Sequence, residues 1–249
     1  MELLGAPLDD DAVEARLAEL ARRHARAGHI GVEILNLLGG QAEDLLGRLP
    51  PQVRARLDDA SERALRAAID TAHRSRGVTG EAPGWMSRAV GTAMGAAGGF
   101  GGLPTAMAEL PVTTTLLLRT IQDAAVDCGF DPDEAAVRHD CVQVFSAAGP
   151  LTDDDGADLG FLAARMTVTG PTVQALIARV APRLATVLGQ KLAAQTVPVL
   201  GAAAGAATNY VYTRYYGEMG QVHFGLRRLA IDADRDHAQL VETFRRRLR

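Results

Sequence analysis

Apolar residues recur along most of this chain at intervals of three and four, and runs that alternate with period two are nearly absent, so the sequence predicts an all-α protein. Asp9, Asp10 and Asp11 supply a cap and a favourable charge at a helix N-terminus. Val13, Leu17, Leu20 and His24 then carry an inner stripe to Gly28, where that helix is expected to stop. An apolar segment from Ile30 to Leu38 leads to Gly39-Gly40 and a brief helix from Gln41 to Arg48. Pro50-Pro51 opens a longer amphipathic helix with Val53, Leu57, Ala60 and Ala64 on its inner face, ending near Gly77.

The Gly- and Pro-containing stretch 78–84 marks the expected boundary between an N-terminal helical region, 1–80, and a helical core, 81–232, within one continuous domain. The basic end, 245–249, is expected to fray. Past Trp85 the chain is uncharged from Ala89 to Ala108, and Gly91, Gly95 and Gly99 recur every four residues; Gly201 and Gly205 repeat the spacing. On a helix such glycines share one face and leave a groove without side chains, so two Gly/Ala-rich helices are expected to pack closely in a multi-helix bundle. The cluster Gly98 to Pro104 breaks the first of these helices, and the next begins near Thr105 and is expected to kink at Pro111. Cys128-Gly129 reads as a helix end, and Asp131-Pro132-Asp133-Glu134 as a capping box for a helix burying Val137, Cys141, Val144, Phe145 and Ala148. Asp153 to Asp155 cap a further helix with Leu159, Leu162 and Met166 inside, and Val173, Leu176 and Val180 continue the pattern beyond Gly170-Pro171. The second ladder leads into a long helix through Asn209, Tyr212, Tyr216 and Phe224.

Composition sharpens this picture. The chain has 249 residues, enough to bury a core without disulfides or metal, yet aromatics supply only 4% of it, so the core is built from small and aliphatic side chains. A net charge of -4 argues against nucleic acid as a partner. Cys128 and Cys141 have no metal-binding spacing and are expected as buried thiols in a reduced compartment. Met1 to Asp11 is acidic and without an apolar segment, the pattern expected of a chain lacking a signal peptide. Neither uncharged stretch reads as a membrane span, because glycines and Pro104 interrupt the first and Gln195, Pro198 and Asn209 the second.

Candidate chemistry is sparse. Glu109 is a carboxylate in an apolar stretch and must be paired, protonated or open to a cavity; with Thr113 and Thr114 it is expected either to line a polar pocket at the Pro111 kink or to point to solvent. Arg119 and Asp123 read as an ion pair at i,i+4, and Asn209 as a bridge between neighbouring helices or a ligand contact. His139-Asp140-Cys141 holds residue types used in nucleophilic catalysis, but successive helical residues point in different directions. No GxSxG elbow, HExxH pair or phosphate-binding lysine loop occurs, and no metal or cofactor is expected.

Gly98-Gly99-Phe100-Gly101-Gly102, Glu109-Leu110-Pro111, Thr113-Thr114 and Arg119 resemble the EcsC family of bacterial proteins. The resemblance continues through Arg138, Cys141, Val144-Phe145, Ala194-Gln195, Val197 to Ala202, Asn209, His223-Phe224 and Arg227-Arg228-Leu229, and covers roughly Leu45 to Leu229. It implies a helical fold and a membrane-linked context, since the name-giving member is encoded beside an ABC transporter, but no reaction. The expectation is therefore a non-enzymatic, cytoplasmic protein, peripheral at the inner membrane. It would serve as an accessory to a membrane transport system or as a binder of lipid or other apolar ligand. The alternatives are a hydrolase-like enzyme using Glu109 with Arg119 or His139 at the kink, and a purely structural interaction module.

Overall fold

The computed structural model describes residues 6–38, 111–146 and 198–248, together with the helical residues Pro51, Gln52, Arg56, Asp59, Glu62, Arg63 and Arg66. Among these residues every regular element is an α-helix, as the spacing predicts. We number them α1 (Asp10–Leu38), α2 (helical residues 111–127), α3 (Ala135–Ser146), α4 (Pro198–Asp232) and α5 (His237–Leu248). The first glycine ladder, Gly91, Gly95 and Gly99, lies outside the described residues, as does Glu109.

Several helix ends have a visible chemical cause. The Asp9 carboxylate accepts the Ala12 amide at 2.8 Å, which starts α1 where the acidic cluster predicts. The expected stop at Gly28 does not occur, and α1 continues to Leu38. A lone glycine costs a helix only about 1 kcal/mol relative to alanine, and Gly28 has neither the positive φ of a helix cap nor a proline behind it. Gly129 does have that φ, +80°, and closes α2: Phe130 N–H bonds to Ala125 C=O at 2.9 Å and Gly129 N–H to Val126 C=O at 2.8 Å. The capping box at Asp131 forms differently from expectation. The Asp131 carboxylate accepts Asp133 N–H at 2.8 Å, Pro132 sits in a turn, and α3 begins only at Ala135 behind Glu134. Past α4, Asp234 takes a left-handed φ of 50° and plays the part that Gly129 plays after α2. Where fraying was expected, α5 is helical to Leu248 and Arg247 pairs with Glu14 of α1.

Two packed regions share α4. On one side Val13, Leu17 and Leu20 of α1 meet Val222, Leu226 and Leu229 of α4 and Leu240, Val241 and Phe244 of α5, all buried. Side chains of this size each stabilise the fold by about 1.5–3 kcal/mol when fully buried. On the other side α4 carries the buried Tyr212, Tyr216 and Met219, and Phe145 of α3 stacks on Tyr216 with ring centroids 5.1 Å apart. Close helix approach is found at Gly217 and Gly220 of α4. A Cβ on Gly220 would stand 2.9 Å from Ala124 Cβ of α2, and one on Gly217 would stand 3.2 Å from Thr120 Cγ2. Gly201 and Gly205, where close packing was expected, lie in the first turns of α4.

Candidate functional site

Asp140 is the one carboxylate in α3, and helical spacing explains what it meets. On α4, His223 and Arg227 are four residues apart and so project from one face, toward α3. Asp140 lies between them: its Oδ2 takes an ion pair from Arg227 Nη1 and stands 3.6 Å from His223 Nε2, slightly beyond hydrogen-bond reach. His139 Nδ1 is 3.9 Å from Asp140 Oδ1, and the His139 side chain is only 1% exposed. Burial opposes ionisation of Asp140, but the contact with His223 and the charges of His223, Arg227 and His139 outweigh it and hold the carboxyl below its ordinary range. The Arg227 guanidinium also lies 4.7 Å from the centroid of the Phe130 ring, and Phe130 packs on Phe224 at 5.7 Å. Arg227 thus ties the α2–α3 turn and α3 itself to a single turn of α4.

Chemically this cluster is a closed electrostatic tie. Its carboxylate is already neutralised, and His139, His223 and Cys141 are all buried. Burial, then the neighbouring phenols, push Tyr212 and Tyr216 well above the usual phenol range, so neither is a base near neutral pH.

An open cleft of about 880 Å³ lies between α1 and α4, with Asp127, Cys128 and Gly129 at the end of α2 also in its wall. Leu8, Leu20 and Leu229 give it an apolar floor, while Arg16, Arg22, Arg23 and Arg228 supply its cations. Arg23 bridges to Glu218 at 3.1 Å and Arg228 to Asp232 at 2.8 Å. Cys128 borders the cleft with its thiol against Gln221 Oε1 at 3.7 Å, and burial, then the Asp127 charge, raise that thiol to about 11 despite the nearby arginines. Such a thiol is a poor nucleophile. A second cavity of about 330 Å³ adjoins the cleft and shares Arg23, Asp127 and Gln221 with it. Thr120, Asp123, Glu218, Arg214 and Tyr210 complete the polar part of its wall.

Of the residues singled out from sequence, Asp123 and Cys128 line these cavities, whereas Thr113, Thr114, Arg119 and Asn209 do not. Thr113, Thr114 and Asn209 are buried and Arg119 is half-buried, and all four are engaged by neighbours. Thr115 and Thr120 bond back to the Pro111 and Leu116 carbonyls at 2.7 and 2.9 Å, the behaviour expected of threonines inside a helix. The pocket expected at the Pro111 kink requires Glu109 and so falls outside the described residues. Sequence reasoning passed over Asp140, His223 and Arg227 as a group. The signal available was a carboxylate on an apolar helix face together with a His and an Arg at i,i+4 on another.

Among the described residues no helix is long and apolar enough to cross a membrane, although α1 and α4 run to 29 and 35 residues. Compared with known proteins, the chain matches the profile of the EcsC protein family over residues 85–229. The span starts at Trp85, later than the Leu45 that the resemblance suggested, and it includes α2, α3 and most of α4 while leaving α1 and α5 outside. No curated protein and no solved structure matches the chain. With more than half of its residues inside that span, including the whole Asp140 cluster, the chain belongs to the EcsC protein family.

Proposed function

We propose that this EcsC-family protein is a non-enzymatic binding module that works peripherally at the inner membrane face, taking an apolar ligand into the cleft between α1 and α4 as an accessory to a membrane system. The observation that carries this reading is the cleft itself: about 880 Å³ of open space with a leucine floor and an arginine rim, which suits an amphiphile better than a fully polar metabolite. The groups that could do chemistry are engaged or unreactive. Asp140 is held by Arg227 and His223, and the Cys128 thiol is raised far above neutral pH. The hydrolase reading gains nothing from His139, which is buried beside Asp140. Fractionation of cells expressing the chain tests the proposal. Most of the protein is expected in the soluble fraction, with a membrane-bound portion that carbonate washing removes. Retention through that wash, or complete absence from membranes, would overturn the peripheral reading.

A further inference from the structure

The cleft along the α1–α4 seam is a groove kept open by small side chains. Ala12 and Ala15 stand on its α1 wall and Gly225 on its α4 wall. A Cβ on Gly225 would lie 2.7 Å from Leu20 Cδ2, so the glycine lets Leu20 lie against α4 and join Leu8 and Leu229 in the floor. The carboxylates around this floor are each engaged. Glu19 pairs with Arg22 at 3.0 Å, Asp232 with Arg228 at 2.8 Å, and Asp127 accepts Gln221 Nε2 at 2.8 Å. The groups left uncommitted are guanidinium donors. Among the described residues Arg16 is exposed and holds no partner, and Arg228 gives only Nε to Asp232, so its two terminal nitrogens remain as donors. Arg228 Nη1 lies 3.4 Å from where a Cβ on Gly129 would stand, which seats this guanidinium against the turn that closes α2. The charges of Arg16, from α1, and Arg228, from α4, both reach the Cys128 thiol beside that turn, and the thiol stays neutral near neutral pH and answers neither.

We infer that the groove binds a single-chain amphiphile with an anionic oxygen head, a carboxylate or a phosphate monoester, held by Arg16 and Arg228 with its chain over the leucine floor. The inference rests on the reading of the cleft as a ligand site and adds the head group and its seat. Guanidinium forks from two helices suit the paired oxygens of such a head. A cationic head would meet Arg16 with no uncommitted carboxylate to receive it, and a neutral head would gain little from Arg16. The chain also matters, because the head alone would leave the apolar floor wet. Arg228 lies inside the residues that match the family profile and Arg16 outside them, so the seat joins a position of the family region to one from the N-terminal helix.

The test is calorimetric titration of the full chain near neutral pH with dodecanoate, dodecyl phosphate, monododecanoylglycerol, whose head is neutral, and acetate, which has no long chain. The anionic amphiphiles should bind about tenfold more tightly than the glycerol ester, the value of one charge-assisted hydrogen bond, and acetate more weakly than any of the three. The tighter of the two anionic probes identifies the head as carboxylate or phosphate. Arg16→Gln should remove most of the preference for the anionic heads and leave binding of the glycerol ester unchanged, which also shows that the variant is folded. Arg228→Gln should act in the same direction from α4. Equal binding of the three amphiphiles, or a preference that survives Arg16→Gln intact, would overturn the head-group inference while leaving the amphiphile reading standing. Binding of none would overturn both. Acetate binding as tightly as dodecanoate would overturn the role given to the floor.

Discussion

His223 Nε2 of α4 stands 3.6 Å from Asp140 Oδ2 of α3, and Arg227, one helical turn further on, pairs with the same oxygen. Arg227 and His223 of one helix therefore share one carboxylate on another, and the tie crosses more than eighty residues of sequence. Asp140→Asn removes the charge while keeping the shape, so Arg227 loses its counterion. With Arg227 28% exposed, solvent screens part of the loss, and the expected destabilisation is about 1–3 kcal/mol. A shift of the urea midpoint measures it. The pH dependence has a fixed sign: the Asp140 carboxyl is held below its ordinary range in the fold, so its contribution is complete above that range and disappears as pH falls through the folded value. Asp140→Asn should accordingly flatten the acid limb of stability below about pH 4.

A second pH effect lies at His24, which packs edge-on against Phe244 with ring centroids 6.1 Å apart. Burial lowers its pKa, so the fold prefers the neutral ring whereas the unfolded chain takes up a proton near pH 6.5. The stability it contributes is therefore complete above about pH 6.5 and is lost as pH falls from there toward the folded value. Thermal midpoints at pH 7.5 and 5.5 should converge in His24→Leu relative to the unaltered protein.

Gly220→Ala would place a methyl group 2.9 Å from Ala124 Cβ, where neither partner has a flexible end to move. The helices must separate, at roughly 1–3 kcal/mol. Ala124→Gly combined with Gly220→Ala should recover part of that loss, and a double-mutant cycle by urea unfolding reads the coupling directly.

Asp234 is a non-glycine residue at a φ of 50° in the turn between α4 and α5. An L-residue there bears a steric cost of about 1–2 kcal/mol, of which the greater unfolded-state freedom of glycine returns roughly half. Asp234→Gly should therefore stabilise the protein by about 0.5–1 kcal/mol, visible as a higher thermal midpoint.

Local signals in the sequence were reliable where one helix decides the outcome by itself. The stripe Val13, Leu17 and Leu20, the glycine closing α2, and the long helix through Tyr212, Tyr216 and Phe224 all follow from spacing. Gly28 misled because a glycine stops a helix only when it adopts the left-handed conformation, which composition does not reveal. The close contact at Gly220 was hidden for a related reason: Gly217 and Gly220 are three apart among tyrosines, Glu218 and Met219, and nothing in that string resembles a small-residue ladder. The Asp140 tie and the groove were out of reach because both depend on how α4 is shared between distant segments. The pattern locates each side chain on a helix face but does not say which face of α4 meets α1 and which meets α3.

Occupancy of the cleft by an amphiphile is read by native mass spectrometry of the full chain purified without detergent, compared with Ala15→Trp, which places an indole at the edge of the cleft. Ala15 is exposed, so the substitution should leave the thermal midpoint unchanged. With an amphiphile in the cleft, an adduct of lipid mass is expected on the unaltered chain, released by organic solvent and much reduced in Ala15→Trp. A chain that carries no adduct, and gains none after incubation with a lipid extract, would contradict it, as would an adduct that Ala15→Trp retains in full.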